Sequence, residues 1–114
     1  MLAKRITVVP AEGTWVIRAG GAVIGESGNA LELSNGDMPA TIFFPQEDIG
    51  MAFLETSGSE AVTEGIGRAT YFGIVTRSTL IENAAWCYPE PSDDLARIAN
   101  HLTFDPNKVT IEQI

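Results

Sequence analysis

A chain of 114 residues suits one domain that buries roughly two-thirds of its unfolded surface, and it needs no second domain. Fifteen acidic residues against seven basic ones give a formal net charge of -8, which repels phosphate backbones and argues against nucleic acid as a partner. The apolar runs are too short for a membrane span, and Met1-Leu2-Ala3-Lys4-Arg5 lacks the hydrophobic centre of a secretory leader, so a cytosolic location is expected. The single cysteine, Cys87, fits a reducing compartment.

Taken in order, most segments favour β structure. Lys4 to Val9 is rich in β-branched residues and stops at the turn cluster Pro10-Ala11-Glu12-Gly13. Trp15 to Ala19 and Ala22 to Glu26 flank Gly20-Gly21, which predicts a two-residue hairpin because both turn positions tolerate positive φ. Ala30 to Leu33 runs into Ser34-Asn35-Gly36-Asp37, another turn, and Ala40 to Phe44 reads as a buried strand ended by Pro45. Gln46-Glu47-Asp48 suits one helical turn with the proline at its start, Met51 to Glu55 resumes extended structure, and Thr56 to Glu60 reads as a polar loop.

Arg68 to Thr76 and Thr79 to Tyr88 form the longest candidate hairpin, turning at Arg77-Ser78. A two-residue turn sets Ala69 opposite Trp86, Tyr71 opposite Ala84 and Gly73 opposite Glu82, so each large side chain meets a small one. Alternation then puts Glu82, Ala84, Trp86 and Tyr88 on one face with Tyr71, and Asn83, Ala85 and Cys87 on the other. One helix is expected after Ser92 as N-cap, with Asp93 and Asp94 in its first turn, an apolar stripe of Leu95, Ile98, Ala99 and Leu102, and an end near Asn100. Leu102 to Phe104 and Val109 to Ile111, separated by Asp105-Pro106-Asn107, suggest a last pair of short strands.

Phe43-Phe44-Pro45-Gln46-Glu47-Asp48-Ile49, the run Glu82-Asn83-Ala84-Ala85-Trp86-Cys87-Tyr88-Pro89, and His101 to Phe104 together resemble the DUF427 family, which carries Y-F-P-x-E-D-V, E-N-A-A-W-x-Y-P and H-x-x-F motifs. A further family motif, C-P-x-K-G-x-A-x-Y, is only partly kept. Gly67, Ala69 and Tyr71 are in place, but Thr63, Glu64 and Ile66 stand where the family has cysteine, proline and lysine. A role that needs that thiol or amine therefore does not carry over. The resemblance implies a mainly β fold of the β-tent kind, a pair of antiparallel sheets packed at an angle with one short C-terminal helix, as in methionine sulfoxide reductase B and the thalidomide-binding domain of cereblon. Several β-tent proteins hold zinc in paired C-x-x-C knuckles, and this chain has none. The family is sometimes labelled nucleotidyltransferase-like, yet Gly65-Ile66-Gly67-Arg68 completes no phosphate-binding motif and precedes a strand rather than a helix.

Structural zinc wants about four Cys or His ligands, and the chain offers only Cys87 and His101. Neither a metal nor another cofactor is expected. Glu47, Asp48 and Glu82 could assemble a carboxylate-rich magnesium site, but solvated surface acids are the simpler reading. Cys87 on a strand is more simply a small buried apolar group than a nucleophile, and His101 at a helix end more simply meets terminal carbonyls than serves as an acid or base. The constellation that best suits chemistry is Tyr71, Glu82, Trp86 and Tyr88, joined by Asn83, Glu47, Asp48 and His101 from neighbouring segments. A carboxylate on an aromatic wall can hold a cation or a hydrogen-bond donor, or move a proton. The expectation is a small-molecule binding module with an aromatic and carboxylate-lined pocket, and whether it is also an enzyme stays open at this point. The alternative is a protein-interaction or homodimerisation module that uses an apolar patch or a sheet edge, and an ordinary structural role for the same side chains stands beside both.

Overall fold

A computed structural model describes residues 6–114. Lys4 and Arg5 of the first predicted strand lie outside the described residues. Ten strands follow in order: β1 (Ile6–Pro10), β2 (Trp15–Ala19), β3 (Ala22–Ser27), β4 (Leu31–Asn35), β5 (Thr41–Phe43), β6 (Leu54–Thr63), β7 (Gly67–Val75), β8 (Leu80–Cys87), β9 (Leu102–Phe104) and β10 (Thr110–Gln113). The fold is mainly β, as expected, with all named pairings antiparallel. Among the described residues hydrogen bonding sorts the strands into three sheets rather than a pair, ordered β1-β4-β5, β10-β2-β3 and β6-β7-β8-β9.

Two of these sheets meet along a ridge. Phe44, just past β5, exchanges both backbone hydrogen bonds with Leu102 of β9, at 2.7 and 2.8 Å. The Thr103 hydroxyl donates to the Ile42 carbonyl at 2.9 Å and holds the same junction one residue on. Because successive side chains of a strand point to opposite faces, Phe43 and Phe44 enter different cores. Phe44 packs edge-on against Phe104 at 5.9 Å in a cluster with Ile17, Ile24 and Ile74, and Phe43 meets Tyr88 at 6.1 Å in a second cluster with Leu33, Ile66 and Ile98.

The glycine hairpin forms where predicted, with Ala19 opposite Ala22 and φ of 54° and 81° at Gly20 and Gly21. Other expectations are corrected. Met51–Phe53 is a 3-10 turn, and extended structure begins only at Leu54. Thr56 to Glu60 is not a loop. It lies inside β6, where Ser57, Gly58 and Ser59 bulge out between the Thr56–Phe72 and Glu60–Thr70 pairs. Asp93–Ile98 is a six-residue 3-10 stretch kinked at Leu95, with no side-chain bond from Ser92 to cap it. The Ser92 N–H donates instead to Ile66, and a bridge from Tyr88 to Ala99 fixes the far end, so the segment is too short and too tethered to propagate an α-helix. The last two strands do not pair with each other: β9 joins β8, and β10 joins β2.

The hairpin of β7 and β8 keeps the predicted register only next to its turn. Val75 pairs with Leu80 and Ile74 with Ile81, but beyond them Phe72 pairs with Ala85, Tyr71 with Trp86 and Thr70 with Cys87. Between the two runs one residue of β7, Gly73, opposes three of β8, Glu82, Asn83 and Ala84. Asn83 makes this bulge by adopting a left-handed φ of 50°. Trp86 consequently lies opposite Tyr71 rather than Ala69, whose named partner, Ala61, is on the other side of β7 in β6.

Candidate functional site

The bulge divides the predicted constellation. Tyr71, Trp86 and Tyr88 stay on one face, all packing with the second core cluster. Tyr71 and Trp86 form a tilted ring pair at 5.6 Å and 34°. Tyr88 is buried, and its phenol oxygen lies 2.9 Å from the Thr63 hydroxyl oxygen. Glu82 does not join them. It is exposed, and with Asn83, Glu55, Ser57 and Gly73 it lines a separate hollow of about 290 Å³. Gly73 belongs there because a Cβ on it would come within 3.3 Å of the Ile81 carbonyl oxygen. Lys108 ties down the bulge backbone, donating to the Glu82 carbonyl at 2.9 Å and to the Asn83 carbonyl at 3.5 Å.

The remaining predicted residues lie apart from both groups. Glu47 is exposed in the 3-10 turn Gln46–Asp48, for which Pro45 is the N-cap. Asp48 accepts a 2.6 Å hydrogen bond from the buried Ser27 hydroxyl, whose oxygen accepts in turn from the Asn29 N–H. His101 is half-buried, with Nδ1 3.2 Å from the Ala99 carbonyl oxygen. Cys87 is buried and unpaired, and burial raises its thiol pKa. Among the described residues no group of three or more His, Cys, Asp or Glu side chains is placed to hold a metal ion.

Two cavities share Trp86, together with Pro39 and Thr41. One, of about 160 Å³, lies over Phe43, Thr63, Ile66 and Tyr88. It borders on the altered motif, with Thr63 and Ile66 offering a hydroxyl and an alkyl group where the family pattern has a thiol and an amine. The other is a cleft of about 440 Å³ lined by Trp15, Glu32, Ile42, Trp86, Phe104 and Ile111, among others. Its position follows from the ridge: β5 and β9 are joined at Phe44 and Leu102, and the cleft is lined by Thr41 and Ile42 from one strand and Phe104 from the other.

Both tryptophans of the chain line this cleft. The Trp15 ring is fixed by its Nε1–H, which donates to the Glu12 carbonyl at 2.9 Å, and the Trp86 ring is backed by Tyr71. Trp15 and Glu32 were not singled out from the sequence. The available signal was a charged residue alternating with Leu31 and Leu33 in an apolar strand, together with a second tryptophan far from the first.

No helix among the described residues is long and apolar enough to cross a membrane. A family model described as a domain of unknown function, DUF427, matches residues 7–114. No curated protein matches the chain. Because the family match covers nearly its whole length, the chain belongs to the DUF427 family.

Proposed function

We propose that this DUF427-family chain is a small-molecule binding module, with the cleft between Trp15 and Trp86 as its binding site. One observation carries the reading: an apolar cleft of about 440 Å³ flanked by two indoles, each held in place by the fold. That volume falls within the range of roughly 300–1,000 Å³ usual for ligand pockets, and mostly apolar walls with a few polar groups are typical of them. The reading moves the carboxylate of the predicted aromatic site from Glu82 to Glu32 and keeps Trp86. We infer a cytosolic location as well, on the unpaired Cys87.

The test is a thermal-shift screen against a metabolite library, because a ligand selective for the native state raises the melting temperature. A true ligand alters the intrinsic fluorescence, both tryptophans being in the cleft, and loses most of its affinity in Trp86→Ala. Ligands that bind Trp86→Ala as well as the parent chain would overturn the assignment. Concentration-dependent dimerisation that buries Trp86 would favour the homodimer instead.

A further inference from the structure

Glu32 gives the cleft a chemical preference. It sits in β4 between the apolar Leu31 and Leu33, half-buried, and lines the cleft together with the two indoles. Among the described residues no Lys or Arg lines the cleft, and Glu32 takes no part in the Arg18–Glu112 or Arg68–Glu60 ion pairs. A groove that runs on from the cleft shares Trp15 and Glu32 and adds a second acid, Glu12. Around this site the chain carries a net charge of -8, a field that concentrates cations.

Both indoles line this space, and the donor of one of them is already used. The Trp15 N–H is spent on the Glu12 carbonyl, which also accepts from the Gln113 side-chain amide at 2.8 Å. Indole faces carry negative quadrupole potential and attract cations within about 6 Å of the ring. An anionic ligand would meet a carboxylate and two negative ring faces. A neutral apolar ligand would cover Glu32 and strip water from a carboxylate that pairs with no cation among the described residues, which costs free energy.

We propose that the cleft takes a small organic cation, an alkylammonium group on an apolar body, with Glu32 as counter-charge and the Trp15 and Trp86 faces as walls. The proposal rests on the reading of the cleft as a small-molecule site. The ammonium group replaces the water that Glu32 loses, and the apolar body covers Ile42 and Phe104.

Phenethylammonium and its neutral counterpart 2-phenylethanol, titrated into the full chain and followed by tryptophan fluorescence and calorimetry, test it. The ammonium is expected to bind at least about tenfold more tightly than the alcohol, with the preference shrinking as salt is added. Glu32→Gln, which keeps size and shape, should erase the preference by weakening the ammonium while the alcohol binds as well as before or better. If the alcohol binds as tightly as the ammonium, or if Glu32→Gln keeps the preference, the cation is overturned and the cleft survives as an apolar site. If neither probe binds, the cation is again overturned, and the metabolite screen alone decides the cleft. Binding of both probes that is indifferent to Trp86→Ala overturns cation and cleft together.

Discussion

The Thr63 hydroxyl oxygen lies 2.9 Å from the phenol oxygen of Tyr88, joining the end of β6 to the segment that follows β8. Thr63 lies where the resemblance to the family motifs breaks, and its partner Tyr88 lies in a motif that is kept. Tyr88 is only 4% exposed, and its hydroxyl has little access to water if the threonine is lost. Thr63→Val should therefore destabilise the fold by about 1–2 kcal/mol, and Tyr88→Phe by a similar amount. Urea denaturation of both single variants and the double variant checks this: the double should cost clearly less than the sum.

Asn83 combines a left-handed backbone with a buried Oδ1 that has no hydrogen-bond partner. Its side chain thus does little to offset its backbone. Asn83→Gly should be neutral or stabilising by about 0.5–1 kcal/mol, because glycine adopts this φ without steric cost. Asn83→Val should cost about 2 kcal/mol or more, since a β-branched residue resists that conformation. Equal stabilities for the two variants would show that the bulge does not depend on Asn83 backbone geometry.

Glu82 and Trp86 are four positions apart but open onto different spaces, so their substitutions should separate. Glu82→Gln is expected to change stability by less than about 0.5 kcal/mol and to leave any ligand of the Trp86 cleft bound as before. Trp86→Ala should cost about 2–3 kcal/mol, below the range for a fully buried ring because Trp86 is half-buried. Part of that loss should vanish in a Tyr71→Ala background, where the ring pair is already gone.

Burial holds the Cys87 thiol above its ordinary pKa of 9.0, so the native state keeps its proton longer than the unfolded chain does. Its contribution to stability is complete below pH 9.0 and declines as pH rises through the folded pKa. Cys87→Ala should flatten that alkaline decline. Alkylation of the native chain at mildly alkaline pH should be slow and should accelerate sharply in denaturant.

Chemistry local to the sequence was legible. The Gly20-Gly21 hairpin, the strand Trp15–Ala19, the turn at Gln46–Asp48 and the buried Leu95 and Ile98 all follow from neighbouring residues. The β7–β8 register was not, because a regular two-residue hairpin implies one alignment along its whole length. Asn83 tolerates positive φ as few other residues do, and nothing in Glu82-Asn83-Ala84 announces that it uses this freedom. Its bulge shifts the pairing by two residues, which preserves the face of Trp86 and Tyr88 relative to Tyr71 but sends Glu82 elsewhere. The cleft was hidden for a different reason. Trp15, Glu32 and Trp86 belong to three different sheets, and their meeting is a property of how those sheets pack rather than of any segment.

The bulge of Ser57, Gly58 and Ser59 has a consequence for how copies of the chain meet in concentrated solution. β6 is the outermost strand of its sheet and ten residues long, with Val62 69% exposed, a combination that would otherwise offer a template for adding strands from other molecules. The bulge interrupts that template near its middle, and Gly58 turns the backbone there with a φ of 82°. Glu55 and Glu60 stand on either side, so two such edges brought together antiparallel would face each other with like charges. The strand is thereby long enough to support the β7–β8 hairpin and too irregular to seed edge-to-edge aggregation.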